Sequence, residues 1–307
     1  MRSPHFDLTS TYFMVAGIAG INPEVATICS VTFARYAVQV ALQHEFDPRD
    51  IPGNFTTGYI PLGATSPSEY PLNIYGTEVF EVNQDLQKIA ANFARKATLN
   101  DSDAAVAYRT LYANDDIYTA GASSTGPSVV ECDVATSDVY YSGRLLGEAF
   151  DNFTTLITNG TGNYCSTAQE DNATLAALLR AAVEQLVDFS RIIVMRTASD
   201  FDRPFLGGSA TYNLFESSVQ GAFEPAINNL YLAGVKVVEG ILDGWNSTFA
   251  QGVNATNYIG DIFGTLGGEP DFGLGAEVSG DIFSKRSTIA KRNTKGRRNV
   301  PVHVPRA

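Results

Sequence analysis

The run Thr11-Tyr12-Phe13-Met14-Val15-Ala16 is β-branched, aromatic or apolar at consecutive positions, so both of its faces must be covered, as in a central strand. Ile192-Ile193-Val194-Met195 repeats the pattern and predicts a second buried strand. Ser30 to Leu42 alternates and reads as a strand with an extended continuation, and Ser128 to Val134 reads as another. Elsewhere the period is helical. Leu86, Ile89, Ala90, Phe93 and Ala97 share one face of 83–97, which predicts an amphipathic helix. Helices are also predicted over 141–156, 170–187 and 225–245, the second of them apolar nearly all round and therefore buried. Residues 47–76, rich in Pro, Gly and Thr, read as a long surface loop. Strands alternating with helices, with apolar strands covered on both faces, predict an α/β fold with a largely parallel sheet.

Charge and targeting signals narrow the class. The 307 residues carry a net charge of −12, but residues 285–307 hold eight basic residues and no acid. The rest of the chain therefore has 13 basic against 33 acidic residues, a net of −20, which disfavours non-specific binding to nucleic acid. The basic segment 283–307 is predicted to be a disordered tail. The longest apolar run, Tyr12 to Ile21, has ten residues and two glycines, too short to predict a transmembrane span. No apolar segment of signal-peptide type follows Met1. Seven N-x-[ST] sequons, at Asn54, Asn100, Asn152, Asn159, Asn172, Asn246 and Asn254, nonetheless point to a secretory-pathway ancestry.

The inventory of reactive side chains excludes several chemistries. With only His5, His44 and His303, a Ser-His-Asp triad would rest on His44 alone, and no His-rich zinc site can be built. Cys29, Cys132 and Cys165 lie too far apart for a CxxC metal or redox motif. Cys29, beside a predicted strand, reads as a buried thiol. Cys132 and Cys165 are the candidate disulfide pair, and the residues leave pairing and free thiols equally open. No metal is predicted, and chemistry falls to carboxylates, hydroxyls and aromatics.

Three predicted strands end in small or polar residues: Gly17-Ile18-Ala19-Gly20, Val134 to Tyr141, and Arg196 to Pro204. Gln169-Glu170-Asp171-Asn172 opens the most buried helix. Each has a structural explanation. The glycines suit a tight turn, Glu170 a helix macrodipole, Ser199-Asp200 an N-cap, and Tyr140-Tyr141 interior packing. Together, at the carboxyl edge of one sheet, they suggest a small polar ligand with a flat ring.

The segments Ala16-Gly17-Ile18-Ala19-Gly20-Ile21-Asn22-Pro23 and Val31 to Val40 resemble the fungal purine nucleoside permease family, as do Tyr164 to Thr174 and Met195 to Pro204. The resemblance covers roughly residues 5 to 278. That family in turn resembles the nucleoside phosphorylase superfamily, which implies a three-layer α/β/α fold with a mixed sheet. It implies a phosphorylase-like domain over 1–282, lacking its first strands and the phosphate-side glycines. Gly17, Ala19 and Gly20 match the nucleosidases' Gly-x-Ala-Gly-Gly turn beside the base. Thr136-Ser137-Asp138-Val139-Tyr140 matches their Ser-Gly-Asp-x-Phe strand end, placing Tyr140 against a purine and Asp138 near it. Gln169-Glu170 keeps the glutamate that binds ribose hydroxyls. Arg196-Thr197-Ala198-Ser199-Asp200 matches Arg-Ala-x-Ser-Asp, with Ser199 at the substrate and Asp200 in the catalytic place. The resemblance implies binding of purine nucleosides and cleavage of the N-glycosidic bond, by phosphate or water and without another cofactor. The alternative it carries is a non-catalytic nucleoside-binding component of transmembrane transport that does not itself span the membrane. An extracellular or wall-associated location and a homo-oligomer follow by the same analogy.

Overall fold

The computed structural model describes residues 5–217 and 219–272. The chain divides into two units, Met1–Gly273 and Leu274–Ala307, and the basic segment predicted to be disordered, with His303, lies outside the described residues. The strands are β1 (Phe13–Ile21), β2 (Val31–Ala34), β3 (Tyr36–Gln39), β4 (Gln43–Glu45), β5 (Tyr59–Pro61), β6 (Val79–Glu81), β7 (Val129–Glu131), β8 (Asp133–Thr136), β9 (Tyr164–Ala168), β10 (Ile192–Phe201) and β11 (Gly260–Asp261). The α-helices are α1 (Gln84–Ala94), α2 (Asp103–Arg109), α3 (Arg144–Ile157), α4 (Asp171–Val183) and α5 (Phe223–Asp243).

Nine strands form one sheet in the order β11-β6-β3-β8-β9-β1-β10-β2-β7, and β4 and β5 pair separately as a hairpin. The sheet is mixed, where the strand pattern alone predicted a largely parallel one. β1·β10, β2·β7, β3·β8 and β8·β9 are parallel, whereas β10·β2, β3·β6, β11·β6 and the single β1·β9 bridge are antiparallel. The cause lies in the run from Ser30 to Leu42, which serves two places in the sheet. It breaks at Arg35, where the buried Asp133 Oδ1 accepts from the backbone N–H of both Arg35 (3.0 Å) and Tyr36 (2.7 Å). Before the break it lies antiparallel to β10, and after it parallel to β8. Its partner run breaks likewise at Cys132, so two chain segments tie distant parts of the sheet together and the sheet rolls on itself.

Both faces of β10 are covered, whereas β1, whose apolar run predicts the same, leaves Met14 and Ala16 exposed on one face. Ile193 and Met195 pack with Leu86, Ala90 and Ala94 of α1 and Ala233 and Val237 of α5, while Ile192 and Val194 face Leu175, Leu178 and Leu179 of α4. That alternation is the physical reason the strand is apolar at every position, and it yields three layers, α/β/α. Helix α1 starts where the pattern places it, with Asn83 Oδ1 accepting from the N–H groups of Asp85 and Leu86. Cys132 and Cys165 form a disulfide with Cα atoms 5.8 Å apart, joining the β7–β8 junction to β9, and Cys29 is a buried free thiol.

Two strands run further than their apolar cores. β1 continues through Gly17–Gly20, so these glycines are strand, not a tight turn, and β10 continues through Arg196–Asp200. β9, β6, the β4–β5 hairpin and α2 have no counterpart among the predicted elements. Six of the seven sequon asparagines are exposed; Asn172 is buried, its amide donating to the carbonyls of Ala37, Thr77 and Glu78.

Candidate functional site

The second half of β1, the far half of β10, the ends of β8 and β9 and the start of α4 converge on a cavity of about 410 Å³. Its walls include Gly17, Ile18, Ala19, Gly20, Tyr140, Glu170, Ser199 and Asp200. Of the eight residues expected at the site, Asp138 alone is absent from these walls. Ser137 Oγ bonds to the N–H (3.1 Å) and carbonyl (3.0 Å) of Val139, closing a turn that leaves Asp138 exposed to solvent. His44, the one histidine open to a triad, sits exposed on β4 and outside these walls.

The glycines serve close approach. A Cβ at Gly17 would lie 2.4 Å from Arg196 Nη1, and one at Gly20 would lie 3.1 Å from Thr167 Oγ1 and 3.5 Å from Asp200 Oδ2. Strand β1 is therefore bare where β9 and β10 project their functional groups over it. Gly20 N–H donates to Thr167 Oγ1 at 2.9 Å, fixing that hydroxyl at the cavity.

Arg196 is the buried charge of the site. Its Nε donates to Asp171 Oδ2 (3.1 Å), and Nη2 bonds both Asp171 Oδ1 and Glu170 Oε1, the latter at 3.2 Å. Asp171 is fully buried, and burial raises its pKa against the opposing hydrogen bond and charge of Arg196. Glu170, by contrast, keeps most of its side chain exposed at the cavity, so one guanidinium anchors a buried carboxylate and orients an accessible one.

Asp200 and Asp202 come from the same strand end but differ in environment. Asp202 is bound by Arg203 Nε (2.8 Å) and Nη2 (3.0 Å) and by the Tyr164 hydroxyl. Among the described residues Asp200 has no cationic partner, and its carboxyl is hydrogen-bonded only by Ser199 Oγ, 2.6 Å from Oδ1. Burial pushes its pKa up to about 6, partly offset by the Ser199 bond and reinforced by the charge of Asp202. Ser199 Oγ also lies 3.1 Å from the Ala19 carbonyl. The one hydroxyl hydrogen serves either acceptor: an ionised Asp200 receives it, whereas a neutral Asp200 donates to Ser199 Oγ, which then turns to Ala19. Both protonation states are thus hydrogen-bonded in place. A bulge makes this possible: β1 and β10 pair Ala19 with Ala198 and then Gly20 with Asp200, so Ser199 is the extra residue and both polar side chains reach the cavity.

Tyr140 stands at the cavity mouth, 76% exposed, with its hydroxyl donating to Gln169 Oε1 at 3.2 Å. Sequence reasoning assigned no role to Arg196, Asp171, Thr167, Asp202, Tyr141 or Leu214. A signal existed for the first two, because an arginine extending a fully buried strand must meet a buried acid.

A family model described as purine nucleoside permease matches residues 1–254. The chain belongs to the purine nucleoside permease family. Among curated relatives, a purine nucleoside permease of Candida albicans is 46% identical over 277 residues, which cover 88% of this chain. The chain spans 66% of the length of that relative. A probable purine nucleoside permease of Schizosaccharomyces pombe is 38% identical over 252 residues, covering 80% of this chain and 70% of that protein. Among solved structures, a 5′-methylthioadenosine/S-adenosylhomocysteine nucleosidase from Colwellia psychrerythraea in complex with adenine overlaps 75% of this chain and 66% of its own. The TM-score is 0.39 and the identity 13%. The corresponding nucleosidase from Neisseria meningitidis gives 0.36 and 12%, over 74% and 68% of the two chains. No helix among the described residues of this family member is long and apolar enough to cross a membrane.

Proposed function

We propose that the chain binds purine nucleosides in this cavity and cleaves their N-glycosidic bond, with Asp200 as the general acid. The observation that carries the reading is the Ala19–Ser199–Asp200 arrangement, a carboxyl with a raised pKa whose neutral and ionised forms are both accommodated. The base stacks on Tyr140, and Glu170 accepts from the ribose hydroxyls while Arg196 holds it. As the C1′–N9 bond breaks, its electron pair goes to the purine, which takes the proton of Asp200, and the ribosyl gains oxocarbenium character. The entering oxygen bonds C1′ from the opposite side; where it is water it releases a proton to solvent, and Asp200 regains its own from solvent after the base leaves. Water fits better than phosphate as that nucleophile, since Arg196, the cavity's wall cation, is already matched by two carboxylates. No other cofactor enters the scheme. With the acid neutral below about pH 6, activity declines as pH rises through that value.

The test is incubation of the full chain with inosine and with adenosine, with and without phosphate, following free base and the sugar product. Expected is base release at a rate independent of phosphate, reduced by about a hundredfold or more in Asp200→Asn. Release that persists in the variant would overturn the role of Asp200, and ribose 1-phosphate as product would overturn hydrolysis. A second reading is favoured by the family's own description as permeases, in a chain with no described helix that can cross a membrane. It takes the chain as a nucleoside-binding component of uptake. Binding without base release, with an uptake defect on deletion, selects it. Exposure of six sequons is consistent with an extracellular or wall-associated site for either role; enzymatic deglycosylation of the native protein, read as a mass shift, tests it.

A further inference from the structure

We infer that the site takes purine nucleosides whose base bears a bulky apolar substituent, held in a second cavity behind the base. The inference rests on the nucleoside reading above. The second cavity, of about 400 Å³, adjoins the first, and the two share Ser137, Val139, Tyr140, Tyr141 and Leu214 as a common wall. Its lining is chemically different. Tyr141, Phe150 and Tyr59 form a run of edge-to-face rings, with centroids 4.8 Å and 5.0 Å apart, and Leu146, Ala210 and Phe215 complete an apolar chamber. Its one acid, Glu45, already accepts from the Tyr59 hydroxyl at 3.0 Å. The hydroxyls of Ser142 and Thr211 also line it, but rings and aliphatic groups make up most of its wall, which suits it to taking an aryl or branched alkyl group out of water.

The direction of approach follows from which residues the cavities share. Glu170 and Arg196, assigned to the ribose side, line the first cavity only. Tyr140, assigned to the face of the base, belongs to the partition. A group that enters the second cavity past Tyr140 is therefore carried by the base and not by the 5′ carbon of the sugar.

The test uses C-nucleosides, whose C–C bond to the base is not cleaved: 9-deazaadenosine, its N6-benzyl derivative, and its 5′-benzylthio-5′-deoxy derivative. Equilibrium binding to the full chain is compared with binding to Ala210→Trp, which fills the second cavity without touching the first. Thr211→Trp serves if the former loses its cooperative thermal transition. The N6-benzyl compound should bind at least tenfold more tightly than 9-deazaadenosine. The tryptophan should remove that advantage while leaving 9-deazaadenosine unchanged. Equal affinities, a preference for the 5′-benzylthio compound, or a tryptophan that weakens all three alike would each overturn the inference while the nucleoside reading stands. Absence of binding by any of the three would overturn both.

Discussion

Asp200→Asn should stabilise the protein at neutral pH, whatever it does to the proposed cleavage. An unfolded Asp200 ionises near 3.8, and the folded one is pushed up to about 6. Between those values the folded chain holds the extra proton. The carboxyl therefore costs nothing below the lower value, and its cost grows as pH rises until it is complete above the upper one. A separation of roughly two pK units corresponds to about 3 kcal/mol at pH 7.5, and about 0.5 kcal/mol at pH 4. An asparagine has no charge to desolvate and keeps an oxygen for Ser199 Oγ, so most of that cost is released. For a chain of this size, about 2–3 kcal/mol raises Tm by roughly 3–5 °C. Thermal unfolding of both proteins at pH 7.5 and pH 4, followed by circular dichroism, reads it directly. A variant no more stable than wild type at pH 7.5, or one that gains equally at both pH values, would refute the assignment of a carboxylate destabilised by burial.

Gly17→Ala places a methyl 2.4 Å from Arg196 Nη1 against a guanidinium pinned by Asp171 and Glu170. It should cost about 1–3 kcal/mol in denaturant unfolding and weaken adenosine binding about tenfold or more, and an unchanged midpoint would mean that Arg196 moves freely. Removing the disulfide in Cys132→Ala/Cys165→Ala, with a sequence separation of 33, should lower stability by about 3–4 kcal/mol on the chain-entropy account. An unaltered urea midpoint would contradict it. Tyr140→Ala should leave Tm within about 1 °C because the ring is exposed, yet weaken adenosine binding about tenfold or more through lost stacking. Equal affinities in a direct titration would remove Tyr140 from the site.

What could be read from the sequence was whatever packing dictates. Ile192–Met195 and the 83–97 face announce themselves because each apolar position meets a helix or a strand. β9 does not, because Tyr164-Cys165-Ser166-Thr167-Ala168 spends its side chains on a disulfide, hydroxyls and the cavity instead of an aliphatic core. The strand ends were misjudged for a related reason. By composition Gly17–Gly20 suits a tight turn and Ser199-Asp200 a helix N-cap, but neighbouring strands hold both segments extended while their side chains face open space or a buried acid. Seven of the eight residues that the motifs single out lie on the cavity walls, whereas the partners that hold them carry no motif. Asp171 and Thr167 act through contacts across the fold, and no local pattern carries that information.

Strand β1 is hydrogen-bonded to β10 along its whole length, while on its other edge the described residues pair it only at Ile21 with Ser166, supplemented by Gly20 to Thr167 Oγ1. The floor of the cavity is therefore suspended from one side. Amide groups on its looser edge should exchange with deuterium well before those facing β10, although both belong to the same central strand. A nucleoside seated over Gly17–Gly20 would slow that exchange. The floor of the cavity thus carries its own gauge of occupancy, readable peptide by peptide without any turnover.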